Sequence, residues 1–260
     1  MDKKRKGRLD IRKIRLFSQI LFFSIFIFLI LETVSKGKNE LGYPVKVFLE
    51  LDPLIFFANL FSTRSTLSLP FLSLYVVFIT IFLGRIFCGY ICPLGLTNDL
   101  FGLLGKSGRK IKERWLSIKY YILFFLLTAS FFSLNISGIF DPLCILIRSF
   151  AFSIYPLFLN SVGLGLVHLQ KVSYNQSFFF AFIIFAVWAL NLVERRFYCK
   201  YVCPLGALLG LFSIFSLVRR GKRENCKECG ICEKSCAGGL FYKKGSFSIS
   251  ECIQLSLIHI

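Results

Sequence analysis

The stretch Phe87-Cys-Gly-Tyr-Ile-Cys-Pro-Leu-Gly95 occurs a second time, almost unchanged, as Tyr198-Cys-Lys-Tyr-Val-Cys-Pro-Leu-Gly206. Each copy places two cysteines four residues apart, and the two pairs are Cys88/Cys92 and Cys199/Cys203. Each copy also follows a long apolar run, and a proline after the second cysteine cannot continue a helix interior without cost. We therefore predict that each pair lies where a membrane helix ends and the chain turns.

The composition indicates a membrane protein. Hydrophobic residues make up 55% of the 260 residues, 32 of them are phenylalanine, and the mean hydropathy is +0.67. This is more apolar than is usual for a soluble domain of this size. The net charge is +18, but lysine and arginine cluster at the ends of the apolar runs, as the positive-inside rule expects. We predict no nucleic-acid partner, because no basic stripe lies on a polar domain large enough to dock a duplex.

Four apolar runs are predicted to cross a bilayer core of roughly 30 Å. They are Leu16–Val34, Leu67–Phe87, Tyr120–Ile136 and Ser177–Leu192. A basic head precedes the first run and places the N-terminus in the cytoplasm. No small-residue cleavage site follows that run, so we expect a retained helix rather than a signal peptide.

An Asp-Pro-Leu sequence lies between the two spans of each half, at Asp52-Pro-Leu54 and at Asp141-Pro-Leu143. The first belongs to Val47–Phe61, which is too short for a span and is predicted to be an interfacial or re-entrant helix. Aspartate followed by proline favours a helix cap. A part in quinol binding or proton release is the alternative, because buried acidic groups at membrane depth are costly.

The unit of span, Asp-Pro-Leu, span and Cys-x3-Cys-Pro-Leu-Gly thus occurs twice. Two spans per unit make the repeats parallel, so both cysteine pairs fall on one side. We predict an all-α membrane protein with four transmembrane helices in two parallel repeats, multi-pass in the bacterial inner membrane, with both termini cytoplasmic. The expected divisions are a basic head at 1–15, repeat 1 at 16–105, repeat 2 at 106–218 and a small ferredoxin-like iron–sulfur module at 219–260.

The C-terminal cysteines have an iron–sulfur spacing. The run reads Cys226-x2-Cys229-x2-Cys232-x3-Cys236, which is typical of a 4Fe–4S cluster, whereas zinc sites usually use two separated Cys-x2-Cys pairs. Cys252 begins a second run, but Leu255 and Ile258 stand where its next cysteines should be. Either the chain is truncated or mis-read here, so that a second cluster exists only in a full-length form, or it is a one-cluster variant with Cys236 or Cys252 as the fourth ligand.

Three chemistries fit the paired motifs at Cys88, Cys92, Cys199 and Cys203. The four thiols bind one cluster jointly, bind copper, or cycle between dithiol and disulfide. The alternative is that the four cysteines have no redox or metal-binding role and only pack the helix ends. The near-identical second copy argues against this alternative. A b-type haem is disfavoured because transmembrane haem needs paired axial ligands, and the two histidines are His168 and His259.

Paired Cys-x3-Cys-Pro motifs followed by a ferredoxin run resemble the NapH-like family of membrane ferredoxins, which includes NosR-type and CcoG-type proteins. The resemblance covers about Leu16 to Cys252. It implies four spans, both membrane motifs facing the cytoplasm, and two 4Fe–4S clusters. Of these clusters the first matches Cys226, Cys229, Cys232 and Cys236, while the absent second run departs from the family pattern.

We expect, from motifs and resemblance together, an electron-transfer subunit that moves electrons between the quinone pool and a redox partner protein. Two alternatives stay open. One is a copper or metal reductase, or an oxidase-assembly factor, that uses the Cys-x3-Cys thiols. The other is a membrane redox sensor whose cluster state signals to a partner.

Overall fold

The computed structural model describes residues 2–35, 48–63, 71–104, 113–134, 136–150, 174–217, 242–243 and 246–247. Within these ranges the chain is almost entirely helical, which confirms the predicted helical class. A two-stranded antiparallel hairpin, β1 (Tyr242–Lys243) with β2 (Ser246–Phe247), lies in the predicted C-terminal module.

The first half contains α1 (Asp2–Ser35), α2 (Pro53–Thr63), α3 (Phe71–Leu83), a π-helical turn (Phe87–Ile91) and α4 (Pro93–Leu104). The second half begins with a 3-10 turn (Glu113–Ser117) and continues with α5 (Ile118–Phe131), α6 (Ser137–Phe140) and α7 (Pro142–Ser149). It ends with α8 (Tyr174–Val193), α9 (Phe197–Tyr201) and α10 (Pro204–Ser213).

The two halves interlock in the same way on both sides. The helix after each cysteine motif, α4 or α10, packs against the first long helix of its own half and against the long helix that precedes the cysteine motif of the other half. Thus α4 contacts α1 and α8, while α10 contacts α5 and α3. Leu94 and Leu205, which follow the prolines of the two motifs, are fully buried in the shared core. The core is therefore built across the boundary between the halves.

Both Asp-Pro-Leu sequences cap helices, as predicted. Asp52 Oδ1 accepts a hydrogen bond of 2.8 Å from the Leu54 backbone N–H at the start of α2. Asp141 Oδ2 accepts one of 2.8 Å from the Cys144 backbone N–H at the start of α7. These bonds satisfy N–H groups that lack a partner inside the helix.

Two helices end earlier than the apolar runs predict. The second run was predicted to reach Phe87, but α3 ends at Leu83 because Gly84 has φ of 77°. The third was predicted to reach Ile136, but α5 ends at Phe131, and Ser133 has φ of 64°. A residue in the left-handed region ends a helix whatever the hydrophobicity around it.

Among the described residues, one helix is long and apolar enough to cross a membrane. It spans Lys13–Ile30, 18 residues with a mean hydropathy of 1.9. The other apolar helices have 10–17 residues, and they are Pro53–Ser62, Phe71–Leu83, Trp115–Phe131, Phe178–Val193 and Pro204–Ser213. Four spans therefore stay a prediction.

Candidate functional site

The thiols of both repeated motifs come together between the two halves. Cys92 and Cys203 are buried, and Cys88 and Cys199 are half-buried. The thiol of Cys203 interacts electrostatically with those of Cys199, Cys88 and Cys92, and Cys92 interacts with both Cys88 and Cys199. All four are free thiols. The structure thus brings together the four residues that the repeat in the sequence singles out.

The same backbone bond closes the turn in both copies. The Cys92 N–H donates to the Phe87 carbonyl and the Cys203 N–H donates to the Tyr198 carbonyl, each over 2.9 Å. Both donors sit five residues after their acceptors, a wider turn than that of an α-helix. Proline follows each second cysteine and starts the next helix at its first position. Two turns closed by the same backbone bond therefore present the two cysteine pairs.

The glycine of each Pro-Leu-Gly sequence permits this close turn. A Cβ atom on Gly95 would lie 3.1 Å from the Cys88 carbonyl oxygen, and one on Gly206 would lie 3.4 Å from the Cys199 carbonyl oxygen. The carbonyl of the first cysteine thus approaches the backbone of the following helix. This explains why the repeat extends to the glycine and does not stop at the proline.

Three buried cations lie near the thiol of Cys88, and the sequence motifs did not predict them as part of the site. Arg85 is 3% exposed, Lys119 is fully buried and Arg196 is 1% exposed. The positive charge of each of the three acts to lower the pKa of the Cys88 thiol. Arg85 and Arg196 each stand three residues before the first cysteine of a motif. That shared position is the signal in the sequence that identifies them.

The two arginines each reach into the opposite half. Arg196 binds Asp99 on α4 with two hydrogen bonds, 2.7 Å from Nε to Oδ1 and 2.6 Å from Nη2 to Oδ2. Arg85 lies against Gly210 on α10, where a Cβ atom would be 1.7 Å from Nη2. Asp99 and Gly210 each stand seven residues after the second cysteine of their motif. The two contacts therefore involve corresponding positions of the two repeats. The arginine meets a carboxylate at one of these positions and a glycine at the other.

Asp99 links three elements at this site. Arg15 of α1 also forms an ion pair with it. Burial alone would raise the pKa of Asp99, but the hydrogen bonds and positive charges of Arg196 and Arg15 outweigh burial and hold the pKa below its ordinary value. Asp99 is therefore a carboxylate at neutral pH, and it ties α1, α4 and the second motif together.

Polar side chains of α1 hold the π-helical turn in place. Gln19 Nε2 donates to the Gly89 carbonyl over 2.9 Å, and Ser18 Oγ donates to the Tyr90 carbonyl over 3.2 Å. Arg15 Nε also donates to Gly89, over 3.3 Å. Carbonyl groups near the end of a helix need partners outside it. These three side chains supply the partners and fix the turn that carries Cys88.

The second motif has its own supports. Asn98 Nδ2 donates to the Cys199 sulfur over 3.5 Å, and Asn191 Oδ1 accepts from the Arg196 N–H over 2.5 Å. Arg196 adopts φ of 57°, a conformation rare outside glycine. The amide of Asn191 and the carboxylate of Asp99 together hold Arg196 there.

Burial raises the pKa of all four thiols. It raises the pKa of Cys88 to about 11, and it also raises the pKa of Cys92, Cys199 and Cys203. The positive charges of Arg85 and Arg196 act in the opposite direction on Cys88. As thiols the four groups are therefore neutral at pH 7, and the buried cations favour the thiolate forms of Cys88 and Cys199.

The donor set is one that iron–sulfur clusters use. Within the described part of the chain, no group of three or more histidine, cysteine or acidic side chains is arranged to hold a metal ion. Four thiols from two turns, with three buried cations near Cys88, match a large anionic centre.

The predicted C-terminal ligands Cys226, Cys229, Cys232, Cys236 and Cys252 lie outside the described residues. Their assignment to a cluster stays a prediction.

Comparison with known proteins bears on the same motifs. A family described as "4Fe-4S binding domain" matches residues 66–112 and 175–223. Each matched segment contains one Cys-x3-Cys-Pro motif, and the second ends before Cys226. The family match therefore falls on the four thiols of the site.

Curated relatives are similar over most of the chain. A methylamine utilization ferredoxin-type protein, MauN, of Methylorubrum extorquens is 34% identical over 63% of this chain and 51% of its own length. The regulatory protein NosR of Pseudomonas aeruginosa is 27% identical over 81% of this chain and 26% of its own. A putative electron transport protein of Escherichia coli, YccM, is 29% identical over 62% of this chain and 43% of its own.

The chain thus spans about half or less of the length of these relatives. No solved structure matches it. The matches confirm the resemblance to ferredoxin-type membrane proteins that the paired motifs predict.

Proposed function

We propose that this chain is a membrane-bound iron–sulfur protein that passes electrons between the quinone pool and a redox partner. Its resemblance to the NapH- and NosR-like membrane ferredoxins supports this proposal. We further propose that Cys88, Cys92, Cys199 and Cys203 hold one cluster jointly. The observation that carries this proposal is the gathering of four thiols from two repeats beside three buried cations.

The buried cations favour a metal–thiolate centre over a cycle between dithiol and disulfide. Burying a charged group costs free energy unless an opposite charge compensates it. Asp99 compensates Arg196 in part, and four thiolates around a cluster would add negative charge beside the three cations. Dithiols and disulfides are neutral, so cycling between them would add none.

The chain's own residues would hold and shield such a cluster. When bound, an iron–sulfur cluster accepts and donates single electrons. The two turns would orient the four sulfurs, Asn98 would donate to the sulfur of Cys199, and the arginines would stabilise added negative charge. Leu94 and Leu205 exclude water from the core side.

Exposed aromatic side chains support a membrane location. They occur on all four long apolar helices, for example Phe17 on α1 at 70% exposure, Phe78 on α3 at 58%, Phe124 on α5 at 71% and Phe182 on α8 at 63%. Large apolar surfaces of this extent are rare on soluble monomers. The four helices would therefore face lipid, with quinol bound among them and both cysteine motifs on the cytoplasmic side.

The test compares two variants of the full chain, prepared anaerobically. One replaces Cys226, Cys229, Cys232 and Cys236 with serine, and the other replaces Cys88, Cys92, Cys199 and Cys203 with serine. We expect the first variant to retain iron and sulfide and an EPR signal upon reduction, and the second to lose that part of the wild-type iron. Loss of all iron in the first variant, with full retention in the second, would show that the buried thiols bind no cluster.

The quinone part of the proposal has a separate measurement. Adding a quinol to wild-type membranes should reduce the cluster and increase its EPR signal. A cluster that dithionite reduces but quinol does not would contradict the link to the quinone pool.

A further inference from the structure

Two carboxyl groups lie buried at the starts of α2 and α7. Asp52 and Asp141 are both fully buried. They stand at the repeated Asp-Pro-Leu sequences, one in each half. The carboxyl groups of the two residues lie within hydrogen-bonding reach of each other. Two acidic groups from different halves therefore meet inside the protein.

Only two of the four carboxyl oxygens of this pair accept a hydrogen bond from the described groups. One oxygen of each carboxyl caps its helix, Asp52 Oδ1 at Leu54 and Asp141 Oδ2 at Cys144. The other two, Asp52 Oδ2 and Asp141 Oδ1, are buried and accept no hydrogen bond from the described groups. An ionised carboxylate can only accept. Two carboxylates in contact would leave both oxygens unsatisfied and would repel each other.

One proton resolves both problems. If one group is a carboxylic acid, its O–H donates to the carboxylate of the other, and each free oxygen gains a partner. We propose that Asp52 and Asp141 form a single proton-binding site, in which the two halves share one proton. This proposal does not depend on a cluster at the four thiols.

The charged and titratable neighbours do not supply the missing donor. Tyr198 of α9 donates its hydroxyl to the Phe140 carbonyl over 2.5 Å. Arg148 of α7 lies over the ring of Phe180, 5.4 Å from its centroid, and beside Gly138. Cys144 follows the Asp141 cap, and its backbone N–H bonds Oδ2. Its thiol also interacts with the Asp141 side chain, but Asp141 Oδ1 has no hydrogen-bond partner among the described groups. Within the described part of the chain, the two carboxyls themselves are therefore the remaining source of the proton.

The site can also change its proton count. A second proton would give two neutral acids, and loss of the shared proton would leave two charges in contact. The half-protonated form is therefore favoured over a wide pH range, as in other pairs of adjacent carboxyls. A group of this kind can take up or release one proton at a fixed place inside the bundle.

Infrared spectroscopy of the full chain in detergent tests the proposal. At pH 7 the wild type should show the C=O absorption of one protonated carboxyl per chain, shifted in D2O. Asp52→Asn and Asp141→Asn should each lose this band, because the amide N–H replaces the shared proton while the cap remains. Glu50→Gln, a half-buried carboxyl two residues before Asp52, is the matched control and should keep the band.

Labelling provides a measurement that needs no variant. Carbon-13 at the aspartate carboxyls should shift the wild-type band, which glutamate labelling should leave in place. Absence of the band in the wild type, a band that follows glutamate labelling, or a band that persists in both asparagine variants would each overturn the proposal.

Discussion

The carboxylate of Asp99 forms ion pairs with two arginines, Arg15 of α1 and Arg196 of the second motif. Arg196 is 1% exposed and Asp99 is 30% exposed, so solvent screens the pair only from the side of the carboxylate. Removing the carboxylate would leave a buried guanidinium without compensation, which is the costly way to break such a pair.

We expect Asp99→Asn to lower the free energy of unfolding in detergent by about 1–3 kcal/mol, a value reduced for the partial exposure of Asp99. Because the pKa of Asp99 lies below the ordinary value of 3.8, its stabilisation is present above that value and is lost as the pH falls through the lower, folded-state pKa. The wild type and the variant should therefore differ at pH 7 and converge as the pH falls through the folded-state pKa of Asp99. A constant difference at all pH values would contradict an ionic role.

The glycines of the two motifs allow a matched comparison. Gly95→Ala places a methyl group 3.1 Å from a backbone oxygen, whereas Gly206→Ala places one at 3.4 Å. The first distance requires the backbone to shift, at a cost of about 1–3 kcal/mol, and the second is close to ordinary contact. We expect Gly95→Ala to lose more stability and more bound iron than Gly206→Ala, measured by thermal unfolding and iron content. Equal effects would show that the carbonyl approach does not limit these positions.

At the scale of elements, the π-helical turn depends on α1. Gln19 is 4% exposed and bonds the Gly89 carbonyl, so Gln19→Ala removes a buried hydrogen bond across the two elements. We expect a loss of about 1–2 kcal/mol in stability and weaker iron retention at Cys88. Ile20→Ala is the control, because Ile20 is 49% exposed on the same helix. Similar losses in both variants would mean that α1 supports the turn only through general packing.

The elements themselves were partly predictable. Aspartate before proline predicts the starts of α2 and α7, because the sequence carries both the cap and the fixed φ of the first helical residue. The early end of α3 was not predicted, since an apolar run gives no signal for the positive φ at Gly84. The π-helical turn was also missed, because its carbonyls are satisfied by α1, about 70 residues earlier in the chain.

At the scale of the whole molecule, the repeat predicts that both cysteine pairs fall on one side, and the structure goes further and places them together. The repeat alone does not predict how the halves interlock. Arg85 reaches α10 and Arg196 reaches α4, and such crossing contacts depend on helix packing between distant segments. The buried cations were overlooked for the same reason, since basic residues at span ends are usually explained by membrane topology.

Interlocking predicts that the halves recognise each other. Two fragments, 1–108 and 109–260, expressed together should purify as a complex, because α4 and α10 each bury surface against the other half. Asp99→Asn in the first fragment should weaken recovery of the second, whereas Ile20→Ala should not. Fragments that never associate, although each reaches the membrane, would contradict a shared core.

The two arginines contact different residues at corresponding positions, and this difference also bears on the origin of the chain. Halves of the same design point to duplication of a gene for one half, whose product would have paired with an identical copy. In that ancestor, both arginines would have contacted the same type of residue. Asp99 and Gly210 now differ, so the arginine of the second half contacts a carboxylate and the arginine of the first half contacts a glycine. Only a pair with one copy of each half has both contacts, and fusion into one chain guarantees that every copy receives one of each.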